Sequence, residues 1–294
     1  MELQQMRYVV AVAEERNFTR AAERCRVVQS ALSHQVKALE RELGVRLFAR
    51  TSRRVELTAA GEAFLPHARA SLESAERAHA DAASAAGEVR GTLTIGLIPT
   101  VTAVDAPAAL AAFHRAHPAV QIALRGGGSN EFVAAIAAGR MDVAVLGLPE
   151  GEPPSGVAHR ELVRERFVAV VGEQHPLAGK RRVRLAEIAD ETFVDFPVST
   201  PGRAQSDLAF AAAGVHREVA FEVMDMGIIV ELVRHGLVVA LLAPALVAGV
   251  PGVATVELAD GPGRVEYLAW SEFNPSPAAL AFLRTVERGG LARG

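Results

Sequence analysis

Four side chains on one face of a short stretch carry the clearest chemistry in this chain. In residues 29–43, QSALSHQVKALEREL, the positions Ser30, Ser33, His34 and Lys37 fall on one side of a helix. The other side repeats Leu32, Val36, Leu39 and Leu43 at i, i+4, i+7 and i+11. Hydroxyls, an imidazole and an ammonium offer hydrogen bonds and positive charge, and no acidic residue interrupts them before Glu40 and Glu42. A helix needs such a face to lie in the major groove of DNA, where each base pair exposes its own set of donors and acceptors. A second group, Arg50, Thr51, Arg53 and Arg54, sits in a basic turn between the short apolar segments 45–48 and 55–57. Two strands around that turn make a wing, whose arginines are placed to meet phosphates or an adjacent minor groove. Taken alone, the same turn reads equally well as a solvated basic hairpin.

A third group lies farther along. Pro99-Thr100-Val101-Thr102, Gly128-Ser129-Asn130 and Pro197-Val198-Ser199-Thr200-Pro201-Gly202-Arg203 each stand between an expected strand and an expected helix. Ligands in open α/β sheets bind beyond the carboxyl ends of strands, and the free N–H groups of a helix start favour an anion. The expected effector-binding residues are therefore Thr100, Val101, Thr102, Ser129, Asn130, Pro197, Ser199, Thr200 and Arg203, around a small anionic metabolite. Plain helix capping is the competing reading for each hydroxyl.

Other chemistries lack their residues. Gly126-Gly127-Gly128 is not followed by Gly-Lys-Ser/Thr, so it is a turn and not a phosphate loop. No Gly-x-Ser-x-Gly elbow occurs. His114 and His117 stand three apart with no cysteine or carboxylate partner beside them, which reads as surface histidine. No catalytic residue, metal or cofactor is expected, and the chain is not expected to be an enzyme.

The elements that position these groups follow from periodicity and capping residues. Leu3, Met6, Val10 and Ala13 give a first helix ending near Arg16-Asn17. Thr19 is set to cap a short second helix, 20–24, and Ala21 and Ala22 allow a close helix approach. After a turn at 25–28 comes the polar-faced helix, stopped by Gly44, a residue suited to a left-handed C-cap. Thr58 can cap a long helix, 59–86, of about 42 Å at 1.5 Å per residue. Its thin seam of Phe64, Leu65, Ala68, Leu72, Ala75, Ala82 and Ala86 suits pairing with a twin. The pairs Arg69/Glu73, Glu73/Arg77 and Arg77/Asp81 support an exposed helix, and Pro66 should bend it. From Gly91, strands at 92–97, 120–125 and 143–146 alternate with helices at 104–116 and 132–138, an order that implies a parallel sheet. A second series runs through 167–171, 192–195, 203–213, 219–223, 227–234 and 237–242, and a final strand and helix at 265–270 and 277–287 return to the first.

The chain has 294 residues, half of them hydrophobic, enough for two or three domains. Its net charge of −3 hides an asymmetry: residues 1–58 hold 11 Lys and Arg against 7 Asp and Glu, while the remainder holds 20 against 27. A basic module is thus joined to an acidic body. Cys25 is the single cysteine, so no intrachain disulfide forms, and its Ala-rich setting suits a small buried hydrophobe. The first 15 residues lack the pattern of a signal peptide, and the longest uncharged apolar run, 236–250, is too short to span a bilayer. A soluble, cytoplasmic protein is expected.

The segment FTRAAERCRVVQSALSHQVKALERELGVRLFARTSRRVELTAAGEAFL resembles the amino-terminal domain of LysR-type transcriptional regulators. Phe-Thr-x-Ala-Ala, Gln-Ser-Ala-Leu-Ser, Leu-Glu-x-x-Leu-Gly, Leu-Phe-x-Arg and Leu-Thr-x-x-Gly all stand in register over about 50 residues. GTLTIGLIPT, VAVVGEQHPLA and GLVVALLAP carry a looser likeness to the family's effector-binding domain, itself similar to periplasmic solute-binding proteins. The resemblance implies that Gln29, Ser30, Ser33 and His34 approach base edges while Lys37 and the wing arginines hold phosphates. It implies dimers, and tetramers built from them. Two positions depart from it. Val28 replaces a capping Ser, so the cap must come from Gln29 or Ser30 or be absent. His34 replaces an Arg, offering at most two ring donors in place of five.

The expected architecture is multidomain: an all-α winged helix-turn-helix (1–58), a linker and dimerisation helix (59–88), and a two-lobed α/β effector domain (89–294). Its lobes are expected at about 89–163 with 265–294, and about 164–264. The expected function is a sequence-specific DNA-binding regulator of a double-stranded operator, controlled by a small effector between the lobes. A solute-binding protein of a transport system is the alternative, with an enzyme and a non-specific chromosome-coating protein as further rivals.

Overall fold

The computed structural model describes residues 1–50, 55–85 and 88–290 and divides into two compact units, 1–87 and 88–294. In the first unit, α1 (Leu3–Glu15) opens with Gln5 Oε1 accepting the Glu2 N–H at 3.0 Å. The second helix, α2 (Phe18–Arg24), starts two residues earlier than expected. Its cap is Asn17 and not Thr19: Asn17 Oδ1 accepts from the N–H groups of Thr19 and Arg20 at 2.8 and 3.1 Å. Phe18 thereby becomes helical and buried, edge-on to Phe48 with ring centroids 5.8 Å apart. Helix α3 (Gln29–Leu43) follows, closed by Gly44 at φ +70°.

The wing strands are β1 (Phe48–Arg50) and β2 (Val55–Leu57), antiparallel, with Arg50 opposite Val55. Strand β1 was expected at 45–48. Instead Glu40 of α3 accepts the N–H groups of Leu47 and Phe48, at 2.8 and 3.2 Å, so that stretch is tied to the helix and pairing begins later. The wing-turn positions Thr51, Arg53 and Arg54 lie outside the described residues. Thr58 caps α4 (Ala59–Ala85), accepting from Gly61 N–H at 3.1 Å and donating to the Arg46 carbonyl at 2.6 Å. Arg69 bonds Glu14 of α1 at 3.0 Å, where α4 packs along α1. Val9, Val12, Ala21, Leu32, Val36, Leu39 and Leu47 form the core of this unit.

The second unit has two lobes. The first contains β3 (Gly91–Leu97), α5 (Ala106–Ala116), β4 (Val120–Gly126), α6 (Ser129–Ala137), β5 (Val143–Pro149) and β6 (Ala158–Arg166). The second contains β7 (Val168–Gly172), β8 (Arg182–Val183), β9 (Thr192–Asp195), α7 (Pro201–Ala212), β10 (Glu218–Glu222), α8 (Met226–Arg234), β11 (Ala240–Leu242) and β12 (Val253–Leu258). Then β13 (Gly263–Trp270) and α9 (Pro277–Thr285) return to the first lobe. The first sheet has the order β4-β3-β5-β13-β6. Its β4-β3-β5 part is parallel as expected, but β13 runs antiparallel to both β5 and β6, so the whole sheet is mixed. The second lobe holds β11-β7-β12-β8 and the parallel pair β9-β10, joined by a bridge between Phe193 and Val239.

Strands β8 and β12, and β6 before Val163, had no counterpart in the sequence reading, and β8 is only two residues long. Strand β6, AHRELVRER, is an edge strand with charged side chains on its open side, so it lacks a clean apolar alternation. Strand β12 buries only Val256 and Leu258. The chain passes between the lobes twice, and Phe167 N–H donates to the Pro262 carbonyl at 3.0 Å where the passes meet.

Candidate functional site

Helix α3 sorts its faces as its sequence requires. Leu32, Val36 and Leu39 are fully buried, while Gln29, Ser30, His34 and Lys37 are exposed and Ser33 half-buried. Leu43, the last position of the apolar repeat, is 36% exposed, so the buried stripe ends at Leu39. Val28 holds the N-cap position in extended backbone with no side-chain cap and is 68% exposed. The bare first turn therefore puts its N–H groups and the positive end of the helix dipole at the surface, a setting that attracts an anion. At the other end Arg41 turns back on Lys37's carbonyl, and Lys37, Arg41 and Arg46 edge a shallow groove with Phe48.

The second site is a narrow cleft between the lobes. Its walls are mainly apolar, from Ile98, Phe167, Phe196, Met224, Leu242 and Leu246. Three expected residues line it: Thr100 after β3, Ser129 at the start of α6 and Thr200 before α7. Their hydroxyls are already engaged. Ser129 Oγ both donates to the Gly147 carbonyl and accepts from its N–H, each at 3.0 Å. Thr200 Oγ1 donates to the Pro197 carbonyl at 2.8 Å and caps Arg203 N–H. Thr100 Oγ1 accepts from Arg264 Nη1 at 2.7 Å.

The other expected residues lie off the lining. Val101 packs against the first lobe's core. Thr102 is bound to Glu266 through its N–H and hydroxyl, at 2.9 and 2.7 Å. Asn130 and Ser199 are exposed, and Pro197 serves through its carbonyl. Arg203 is held by Asp207 at 2.9 Å and Glu222 at 3.0 Å, within the second lobe.

Beneath the cleft lies a buried charge cluster that the sequence reading missed. Arg264 and Glu266, 2% and 0% exposed, share one face of β13, and Glu165 reaches them from β6. Arg264 donates to Glu266 at 2.6 Å, to Glu165 through Nε at 3.0 Å and to the Thr100 carbonyl at 3.0 Å, and lies over the Phe167 ring. Glu266 also accepts the Ala103 N–H at 3.1 Å. One cation faces two carboxylates here, so with all three ionised the cluster keeps a net negative charge. The available signal was a pair of opposite charges two apart inside the apolar run GRVEYLAW, hence on one face of a strand. Gln205 of α7 was also missed. It lines the cleft, is 3% exposed, and neither its amide oxygen nor its nitrogen has a hydrogen-bond partner.

A third buried group underpins the second lobe. Arg217 bonds Asp195 at 2.6 Å and Asp207 at 2.8 Å and lies over Phe193 and Phe210. Burial pushes the Asp195 carboxyl above its usual range, and Arg217 only partly opposes this. Among the described residues no three His, Cys, Asp or Glu side chains gather as metal ligands, and no helix is long and apolar enough to cross a membrane.

Comparison with known proteins covers both units. Residues 3–62 match the model of the bacterial regulatory helix-turn-helix protein, lysR family, and residues 86–290 match the LysR substrate binding domain. The transcriptional regulator IlvR of Caulobacter vibrioides is 35% identical, with 99% of each chain covered. ShiR of Corynebacterium glutamicum is 38% identical over 67% of this chain and 66% of its own. Among solved structures, full-length CbnR complexed with its target DNA has a TM-score of 0.71 at 27% identity, over 98% of this chain and 99% of CbnR. A full-length OxyR variant from Pseudomonas aeruginosa gives 0.73 at 26%, over 100% and 99%. With a helix-turn-helix at one end, the LysR substrate binding domain at the other and regulators as its relatives, this chain belongs to the LysR family of transcriptional regulators.

Proposed function

We propose that this regulator is cytoplasmic, reads its operator through α3 and the wing, and takes a small carboxylate with a compact apolar body into the inter-lobe cleft. Gln29, Ser30, Ser33 and His34 face base edges in this reading; Lys37, Arg50, Thr51, Arg53 and Arg54 hold the backbone. The exposure of Gln29, Ser30, His34 and Lys37 opposite a buried stripe supports it. Helix α4 buries only Gly61 and Ala68 among its described side chains, and Leu65 and Leu72 are half-covered, which supports pairing with a second copy in a homodimer or a tetramer of dimers. The 1–58 segment then serves as reader, 59–88 as dimerisation helix and 89–294 as effector domain.

The observation that carries the ligand class is the start of α6. Its N-cap is Gly128, with no side-chain cap, and residues 127–129 open into the cleft. The lining hydroxyls are bonded to the protein, so the bare N–H groups and the helix dipole are what remains for an anion.

Calorimetry of the full chain against small carboxylates and their methyl esters tests this, with binding to DNA flanking its own coding sequence followed alongside. Carboxylates should bind and the esters bind at least tenfold more weakly. Binding confined to neutral hydrophobes would remove the anion from the reading.

A further inference from the structure

Most polar side chains in the cleft are spent on the protein itself. Ser129 and Thr200 are saturated by backbone partners, Arg264 by Thr100, Glu165 and Glu266, and Thr100 by the Arg264 guanidinium on its acceptor side. Gln205 is the exception. Both polar atoms of its amide are buried without a partner, and the residue faces the cleft. Other buried side-chain atoms without a partner among the described residues, Ser206 Oγ and Arg217 Nε and Nη1, belong to residues that do not line it. Folding has buried a primary amide without giving it a protein partner, a cost that a native structure carries for a reason.

Gln205 is also well placed to sense closure. It lies one turn into α7, and α7 of the second lobe rests against β5 of the first. The start of α6 belongs to the first lobe, so a ligand touching both would join the lobes.

We propose that Gln205 determines the specificity of this cleft by reading a neutral ligand group that donates and accepts at once, a hydroxyl or a carboxamide. An amide presents one acceptor and two donors. A bare carbonyl or ether satisfies only its nitrogen, and an apolar ligand satisfies neither atom. A hydroxyl or carboxamide answers both, and a site left with unpaired polar groups rejects the analogue that lacks them. Resting on the carboxylate reading above, the ligand class becomes a small hydroxy- or carbamoyl-carboxylate. The acid sits at the start of α6 and the neutral group at Gln205.

The test uses the full chain and matched probes of different span: lactate and propionate, 4-hydroxybutyrate and butyrate, 4-hydroxybenzoate and benzoate, with succinamate as the carboxamide. The methyl esters of the benzoate pair are included. Titration calorimetry is run on wild type, Gln205→Leu and Gln205→Glu. At least one hydroxy or carbamoyl probe should bind wild type tenfold or more tightly than its unsubstituted partner. Gln205→Leu should bring that ratio below about threefold while keeping the unsubstituted acid's affinity, an outcome a merely structural role for Gln205 would not produce. Gln205→Glu should restore part of the preference for the hydroxyl, since a carboxylate accepts its proton.

A wild type that binds both members of every pair equally overturns the proposal and leaves the carboxylate reading standing. A ratio that survives in Gln205→Leu also overturns it. A hydroxy preference that persists in the ester pair and vanishes in Gln205→Leu sustains Gln205 while discarding the carboxylate. If no probe binds, both fall. A loss of fold in Gln205→Leu is checked by its thermal transition, which should not drop, because leucine removes an unpaired buried amide.

Discussion

Val28 occupies a helix N-cap in the extended conformation that a capping residue adopts, yet offers no oxygen to the first turn. Val28→Ser supplies one without moving the backbone, and should stabilise by about 1 kcal/mol. In a unit of this size that is a rise of about 4–8 °C in the thermal transition of the amino-terminal unit. An unchanged or lowered transition would show that the first turn is satisfied by other means. Lys37 is exposed on the same helix, and its ammonium has no partner among the described residues. Lys37→Ala should weaken binding to operator and random DNA alike, and reduce the magnitude of the log–log salt slope by about 1. A slope identical to wild type would take Lys37 off the phosphate backbone. These residues were legible because each acts through its own position on a helix. Gln205 was not, because its significance is the absence of a partner, and only the packed structure displays that.

Elements show the same division between local and distant causes. Residues 29–43 and the strand–helix alternation of residues 92–146 follow from periodicity, which depends on neighbours in the chain. The start of α2 did not, because Asn17 and Thr19 can both cap, and the choice of Asn17 goes with Phe18 joining the helix and packing against Phe48. Nor did the fate of the cleft hydroxyls: Ser129 meets Gly147 across 18 residues, and Thr100 meets Arg264 across 164. Gly61 illustrates an intermediate case, a glycine in a motif whose reason is contact. A Cβ there would stand 2.1 Å from the Leu47 carbonyl oxygen, which itself accepts the Thr58 N–H at 2.9 Å. Gly61→Ala must push α4 off the wing junction, and should cost about 2 kcal/mol or more. A chemical melt with wild-type midpoint would disprove the contact. In the second lobe, β9 and β10 bring Asp195 and Arg217 together in a buried pair. Burial raises the folded-state pKa of Asp195 above the unfolded value of about 3.9. The folded state then binds the proton more tightly than the unfolded one, so this contribution is complete at low pH and is lost as pH climbs through the raised value. Asp195→Asn should therefore flatten the decline of stability from about pH 4 upward, read by Trp270 fluorescence in urea. If removing Asp195 instead removes a rise with pH, Arg217 has lowered the carboxyl and the assigned direction is wrong.

At the scale of the whole molecule, a reader and a receptor on one chain make a switch only if they are coupled. Tight binding in the cleft shifts nothing unless the ligand prefers one of two arrangements that differ in operator affinity. The cleft offers a physical basis for such a preference. Its two walls belong to different lobes, Gln205 and the start of α6 stand on opposite sides, and the strands joining the lobes are tied by Arg264, Glu165 and Glu266. A ligand that bridges the walls favours the arrangement that brings them together. Coupling between equilibrium binding steps is reciprocal, so its size is measurable from either end. If the best-binding carboxylate changes operator affinity by a given factor, operator DNA must change carboxylate affinity by the same factor, commonly 5–150-fold in systems of this kind. Fluorescence anisotropy of labelled operator with and without saturating carboxylate gives one side. Calorimetric titration of the carboxylate with and without operator gives the other. Both experiments need the same salt, because phosphate contacts make operator affinity depend steeply on it. Equal factors above about fivefold are expected. A carboxylate that binds equally well to free and operator-bound protein would be an occupant of the cleft and not an effector, whatever its affinity.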